Sequence, residues 1–484
     1  MNFICKKIII IYFFIFTFSG CGLLNKNLDI DDMPIELPSY WQSPIYNETE
    51  LTGNWWKSFN DSKFEEFIIL FKENSIDLQT LVYDRKIAYY SSAINKPGFF
   101  PSINSSARID TNIQNLSGFG AAGNLLNNNE DSQETASSSI VNFGSTNINL
   151  GIQFQWEIDV WGMLLNSRKS IQKDYESVIY NLNYLGFSLL VRASQLYYSV
   201  LESALQVEIA EKSYKRYVEI QDYVRSKYEK GLVNSLDLRL SQSSVSTAKI
   251  LLENKKNVYR SLSRQIQILL GEYPSGYFLD SYDFPSIIPK INSGVPSDLL
   301  SRRPDIKALF AKAESAGFKL KEAERNRFPK LTLIGNIGTS SNNIEDMLNV
   351  DYGVWNLGTN ILSPIFNNSK IKNNINLNFE LKEKSKNELK KSLLQAFSEV
   401  ENILYIDKSL VIQIDAINSA LDESESIVQL TQDRYDKGLI GIESILQNQA
   451  IYNTLLSQQL SLLYKNIENR LSLILALGGE IIIE

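Results

Sequence analysis

The chain has 484 residues, a formal net charge of -7, 44% hydrophobic and 21% charged residues, the balance of a folded protein without the basic stripe of a nucleic-acid binder. It contains no histidine, and its two cysteines, Cys5 and Cys21, both lie near the N-terminus. Imidazole triads, HExxH zinc sites and thiolate metal sites are thereby excluded, so no catalytic constellation, metal or cofactor is expected.

Along the chain, Lys6 and Lys7 precede an apolar run from Ile8 to Phe18, and Ser19 and Gly20 lead into Cys21. Residues 1–20 read as a signal peptide, because the run is too short to span a bilayer comfortably. FSGC at 18–21 resembles a bacterial lipobox, so Cys21 is the expected lipidation site. Residues 21–60 then form an extended segment.

A first structural repeat is expected over 61–271. It opens with a helix at about 61–96 and a strand from Pro101, then a Ser/Asn/Gly-rich exposed loop at 115–146. GFGAAG at 118–123 satisfies GxGxxG, but NLLNNNEDSQE follows it with no amphipathic helix to receive a pyrophosphate. In INLGIQFQWEIDV (148–160), Ile148, Leu150, Ile152, Phe154, Trp156, Ile158 and Val160 alternate with polar residues, a period-two strand.

No proline occurs between Pro101 and Pro274, nor after Pro364, which leaves two stretches free of the strongest helix breaker. Apolar residues step by seven through Ala193, Val200, Val207, Tyr214 and Tyr228, with Gln221 interrupting, and through Ile414, Leu421, Val428 and Tyr435. Coiled helices at about 164–230 and 368–437 follow from that period. Gly231 and Gly438 end them, and return helices follow at about 234–271 and 441–477. A linker at 272–298, a second repeat at 299–477 and a tail at 478–484 complete the chain. The second repeat opens on SRRPDI, where Ser301 reads as the cap of a helix with Pro304 in its first turn.

The halves match at a fixed offset of 207 residues: YEKGLVNSLDL at 228–238 with YDKGLIGIESI at 435–445, and NLG at 149–151 with NLG at 356–358. Two matching contexts indicate a duplication. Each half supplies two alternating strands suited to lipid on one face and a lumen on the other. Four strands cannot close a barrel and an open edge is costly in lipid, so several copies are needed.

The sequence resembles the TolC-type outer-membrane efflux family, lipoprotein (NodT or OprM-like) subgroup. The carriers are FSGC, WWKSF at 55–59, FP at 100 and 328, WEIDVWG at 156–162, LLSRRPDI at 299–306, SPIF at 363–366 and the two YxKGL tips. Gly22 after the cysteine, where the family's inner-membrane signal has Asp, implies outer-membrane placement. The resemblance implies a mixed α and β membrane protein: a homotrimer with a twelve-stranded barrel, four strands per chain, continuous with a periplasmic α-helical barrel. It implies a passive efflux channel served by a periplasmic adaptor and an inner-membrane pump of RND type, with type I secretion as a variant. Docking of the adaptor falls on Gly231, Leu232, Val233, Gly438, Leu439 and Ile440. The periplasmic gate falls on Tyr228, Asp237, Tyr435, Glu443, Ser444 and Gln447; Ser444 and Gln447 stand where the family carries ring aspartates. A lipid-anchored coiled-coil scaffold or adaptor is the reading from another class, since it also accounts for Cys21 and the heptads.

Overall fold

The structure, a computed structural model, describes residue 38 and residues 40–43, 54–115, 142–278, 284–285, 288–289 and 291–479. The signal segment, Cys21, GFGAAG and residues 480–484 of the tail lie outside the described residues. The chain divides into two compact units, each drawing segments from both repeats: one of residues up to Ala93, Lys173–Glu314 and Glu383–Glu484, the other of Ile94–Gln172 and Ser315–Lys382.

The second unit carries one antiparallel sheet in the order β1-β2-β3-β4, made of β1 (Ser102–Asn115), β2 (Asn142–Ile158), β3 (Lys330–Ser341) and β4 (Gly353–Leu362). β2 begins inside the stretch expected to be loop and ends before Val160, whose N–H turns back to the carbonyl of Ile158. Register decides the faces, because side chains alternate with period two. Ile103 and Ile109, Ile148, Ile152 and Phe154, Leu333 and Ile337, and Trp355, Leu357 and Ile361 share one face. Asn104 and Arg108, Asn149, Gln153 and Gln155, Thr332 and Asn336, and Asn356 and Asn360 share the other. Gly335 sits opposite Phe154, and a Cβ there would lie 1.9 Å from the Phe154 ring, so the aromatic covers the gap that glycine leaves.

The WEIDVWG and FP motifs fasten the base of this sheet. Trp156 Nε1 donates to the carbonyl of Phe99 (2.7 Å), Trp161 Nε1 donates to that of Pro329 (2.8 Å), and Trp161 stacks on Phe328 with ring centroids 5.2 Å apart. Asp159 Oδ2 accepts from the N–H of Leu165 at 2.7 Å, in the first turn of the helix that follows. That capping contact satisfies one of the donors a helix start leaves unpaired.

The helices are α1 (Ser62–Asn74), α2 (Ile76–Asn95), α3 (Met163–Glu229), α4 (Ser235–Leu269), α5 (Leu299–Arg302), α6 (Pro304–Arg325), α7 (Lys370–Asp436) and α8 (Ile442–Leu477). The duplication is visible in their ends: α3 and α7 each have 67 residues, and start and stop 207 positions apart. Each is about 100 Å long at 1.5 Å per residue. The single helix expected at 61–96 is broken at Ser75, whose extended backbone (ψ 119°) closes α1, while its hydroxyl accepts from the N–H of Leu78 to open α2.

WWKSF forms a 3₁₀ turn whose Trp55, Trp56 and Phe59 are buried with Phe64, Phe67 and Phe71 of α1 against Tyr197 and Tyr198 of α3. Phe64 and Tyr198 lie 4.9 Å apart and Phe67 and Tyr197 5.0 Å, tilted and stacked contacts that add to area burial. At the start of the second repeat, Ser301 does not cap the helix; its hydroxyl donates to the carbonyl of Asp298. Arg303, with extended backbone and 4% exposed, is the hub instead. Its fork donates to both oxygens of Asp305 (3.1 and 2.8 Å), to Glu399 of α7 (2.8 Å) and to the carbonyl of Ala476 near the end of α8 (3.2 Å). One side chain thus ties together three helices of this unit.

The heptad stripe holds in the second repeat, where Leu421 and Tyr435 are buried, and slips in the first. Beyond Val200 the buried series on α3 is Ser203, Ala210, Tyr217 and Val224, with Gln206, Ser213 and Ile220 beside it. Much of that seam is polar and small: Gln206 Nε2 donates to the carbonyl of Ser457 (3.0 Å), and Asn453 Nδ2 to Ser213 Oγ (2.7 Å), joining α3 to α8. A seam of Ser, Gln and Asn is invisible to an apolar count.

Candidate functional site: the paired helical tips

Each hairpin turns on a glycine with φ +72°, Gly231 and Gly438. In both, the glycine N–H bonds the carbonyl of the tyrosine three residues before it (2.8 Å to Tyr228, 3.0 Å to Tyr435), and the following leucine N–H reaches five residues back (2.9 Å to Lys227, 2.9 Å to Arg434). This pair of bonds is a Schellman closure, which needs a left-handed residue at its centre. The consequence is an outward apolar knob on each tip: Leu232 is 69% exposed and Leu439 68%. Val233 and Ile440 turn inward, against a cluster of Tyr217, Ile220, Val224, Ala248, Tyr435, Ile442 and Ile445.

The two tips differ in their second caps. Asn234 Oδ1 accepts from the N–H of Asp237 at 3.0 Å and starts α4, whereas Gly441 starts α8 without a side-chain cap. Asp237 is therefore in the first turn of α4, where its charge complements the helix dipole. Ser444 is half-buried, its N–H on the carbonyl of Gly441, while Glu443 and Gln447 are exposed.

Tyr228 and Tyr435 occupy matching positions but not matching environments. Tyr228 is 41% exposed and Tyr435 4%, with its hydroxyl buried and unbonded among the described residues. Burial, then the negative charge of Asp237, pushes the Tyr435 hydroxyl up to about 12. Among the predicted gate residues, the charge of Asp237 therefore reaches the Tyr435 phenol, with no hydrogen bond between them among the described residues.

Sequence reasoning missed the strongest contact at this end. Tyr223 of α3 donates to Asp436 Oδ1 at the end of α7 (2.5 Å), and Lys227 Nζ lies 3.7 Å from the same oxygen. The Lys227 ammonium also sits over two rings, 4.2 Å from the centroid of Tyr435 and 4.6 Å from that of Tyr223, which are themselves edge-on at 6.2 Å. The bond from Tyr223, with help from Gln432 and Lys227, holds the Asp436 carboxyl below the usual aspartate value. This cation, acid and two phenols form a joint between the first hairpin and the second. The available signal was the i, i+4 pair Tyr223 and Lys227 facing the acid beside the second glycine.

A family model described as outer membrane efflux protein matches residues 68–272 and 295–479. Over 450 residues the chain is 24% identical to the pyoverdine export outer membrane protein OpmQ of Pseudomonas putida, covering 92% of this chain and 93% of the relative. It is 24% identical over 481 residues to the toluene efflux pump outer membrane protein TtgF, also of Pseudomonas putida, with 95% and 94% covered. The crystal structure of the Campylobacter jejuni CmeC outer membrane channel superimposes with a TM-score of 0.82 at 19% identity, over 94% of both chains.

Proposed function

The chain belongs to the outer membrane efflux protein family, and from that premise we propose that three copies assemble into one duct with a twelve-stranded barrel and a helical tunnel ending at the tips. The protein is an outer-membrane channel of a tripartite efflux system, and its family is one of channels rather than enzymes. The observation that carries the assembly is the sheet: one face apolar, the other polar, and β1 and β4 each paired on one side only among the described residues. In a bilayer those two edges must be closed by further strands, because unpaired backbone groups are not tolerated there.

The duct conducts passively, so direction and energy come from an inner-membrane pump, of RND type in this reading, through a periplasmic adaptor. Leu232 and Leu439 with Gly231, Val233, Gly438 and Ile440 form the adaptor-facing surface, each tip offering one exposed leucine on a rigid turn. Asp237 lines the mouth with the buried Tyr435 behind it; Tyr228, Glu443, Ser444 and Gln447 complete it. Relatives named for pyoverdine and for toluene match more than nine-tenths of this chain, which fits small drug-like or toxic molecules selected by the pump rather than by the duct. Cys21 carries the lipid that anchors the mature chain.

Native mass spectrometry of the detergent-extracted protein tests the assembly. A three-chain mass is expected, and it should persist in the membrane fraction of a Cys21→Ser variant. A single-chain species that becomes soluble on that substitution would overturn the reading in favour of a lipid-anchored scaffold.

A further inference from the structure

Between α3, α4 and α8 of the first unit runs a groove of about 500 Å³, within the size range of small-molecule sites, roughly 300–1,000 Å³. It opens along the seam of small side chains, where Ala210, Ser213, Ala248 and Ala450 leave space between the helices. On α4 the lining extends from Ser243 to Lys255, about 18 Å of helix at 1.5 Å per residue. None of the tip residues assigned to docking or gating lines it. All three walls belong to one chain, so the groove does not depend on the trimer.

Most of its hydroxyl protons are already spent. Those of Ser244, Thr247 and Thr454 go to carbonyls one turn back on their own helices (3.0, 3.1 and 2.8 Å), and that of Ser457 goes to Gln206 Oε1 (2.6 Å). Groups so engaged have no proton left for a ligand, and Ile209, Leu251 and Leu446 add hydrocarbon, Leu251 being 47% exposed. One charge stands in the lining, the ammonium of Lys255, and no carboxylate does. Lys255 is half-buried and has no ion pair or hydrogen bond among the described residues, whereas its neighbour Lys256 is held by Glu211 and Glu253 (3.6 and 3.5 Å). The helix packing does not demand a cation there, since at the 207-residue offset α8 carries Leu462 in its place.

We propose that this groove binds an anionic amphiphile with one alkyl chain, its carboxylate or sulfate head on the Lys255 ammonium and its chain along Ile209, Leu251 and Leu446. Lys255 is the lining residue of α4 farthest from the tips, so the charge stands at one end of an otherwise uncharged trough, the same division that such a molecule carries along its own length. Burial of the chain supplies the bulk of the affinity, and the charged hydrogen bond fixes which way round the molecule lies. A neutral amphiphile forfeits that bond, and a cationic one meets Lys255 as a like charge.

The test is equilibrium dialysis of radiolabelled dodecanoate, kept below its micelle concentration, against the full-length protein in nanodiscs of zwitterionic phosphatidylcholine, with empty nanodiscs subtracted. One saturable site per chain is expected. Lys255→Met should weaken it about tenfold, the value of one charged hydrogen bond at a half-buried position, and Lys255→Arg should keep it. Dodecanol, with the same chain and no charge, should compete about tenfold less well than unlabelled dodecanoate for the same reason. Ala450 is exposed on the groove, so Ala450→Trp should fill the space and abolish binding while the helical circular dichroism is unchanged. Binding that is absent from the unsubstituted protein, equal in Lys255→Met, or unaffected by Ala450→Trp would overturn the site.

Discussion

Replacing Arg303 with methionine keeps roughly the apolar stem of the side chain and removes its fork. In the native structure that fork makes four hydrogen bonds, two to Asp305, one to Glu399 and one to the carbonyl of Ala476. The losses are unequal. The Glu399 side chain is 53% exposed and rehydrates, so its share is about 0–1 kcal/mol. Asp305, 19% exposed, loses a bidentate partner, and the carbonyl of Ala476 is left buried; each such loss costs about 1–3 kcal/mol. The net expectation is about 3–5 kcal/mol, the range seen when a buried ion pair loses one member. Arg303→Lys retains the charge and loses the fork, so it should fall between the two. Guanidinium titration of the detergent-extracted protein, followed by helical circular dichroism, reads the difference. A loss below about 1 kcal/mol for the methionine variant would refute the view that Arg303 is the tie between α6, α7 and α8.

Other expectations follow from the tips and the sheet. Tyr223→Phe removes only the hydroxyl that bonds Asp436, and because that carboxylate is partly exposed the loss should be about 1 kcal/mol, seen as a higher open probability in planar bilayers. The Asp436 carboxyl is depressed by the joint, so its stabilisation is complete above the ordinary aspartate value and is lost as pH falls through the lower, folded value; openings should increase only below about pH 4, and Asp436→Asn should abolish that step. Alanine at Gly231 or Gly438 meets no neighbouring atom within 4 Å but must hold φ +72°, costing about 1–2 kcal/mol each by thermal or chemical unfolding. Ile337→Lys places a charge on the apolar face and should cost about 2–4 kcal/mol of membrane-inserted stability if it lies near the bilayer midplane, whereas Gln153→Lys on the polar face should change ion selectivity with little loss.

Much of this architecture is legible in the sequence where one local rule dominates. Proline-free stretches and the glycines at 231 and 438 fix the hairpins within a residue or two, and strict alternation from Ile148 to Ile158 fixes the face of β2. The misses have physical causes. Ser75 breaks a helix by satisfying both its ends, a role that a serine in a helical pattern does not advertise. The seam of α3 departs from the apolar heptad because Ser203, Gln206 and Ser213 pack there through hydrogen bonds, so Tyr228 is exposed where Tyr435 is buried. Arg303 was visible as a motif and Asp305 lies beside it, but its other two partners are 96 and 173 residues away, beyond any local pattern. Tyr223, Lys227 and Asp436 escaped for the same reason, since the contact joins one repeat to the other and its sequence equivalents do not repeat it within the chain.

The central claim, a self-assembled duct through the outer membrane, is tested most directly by single-channel recording of the purified full-length protein in a planar lipid bilayer. Discrete conductance steps of uniform size are expected, with cation preference that declines in Asp237→Ala. Folded, three-chain protein that never inserts or conducts would contradict it.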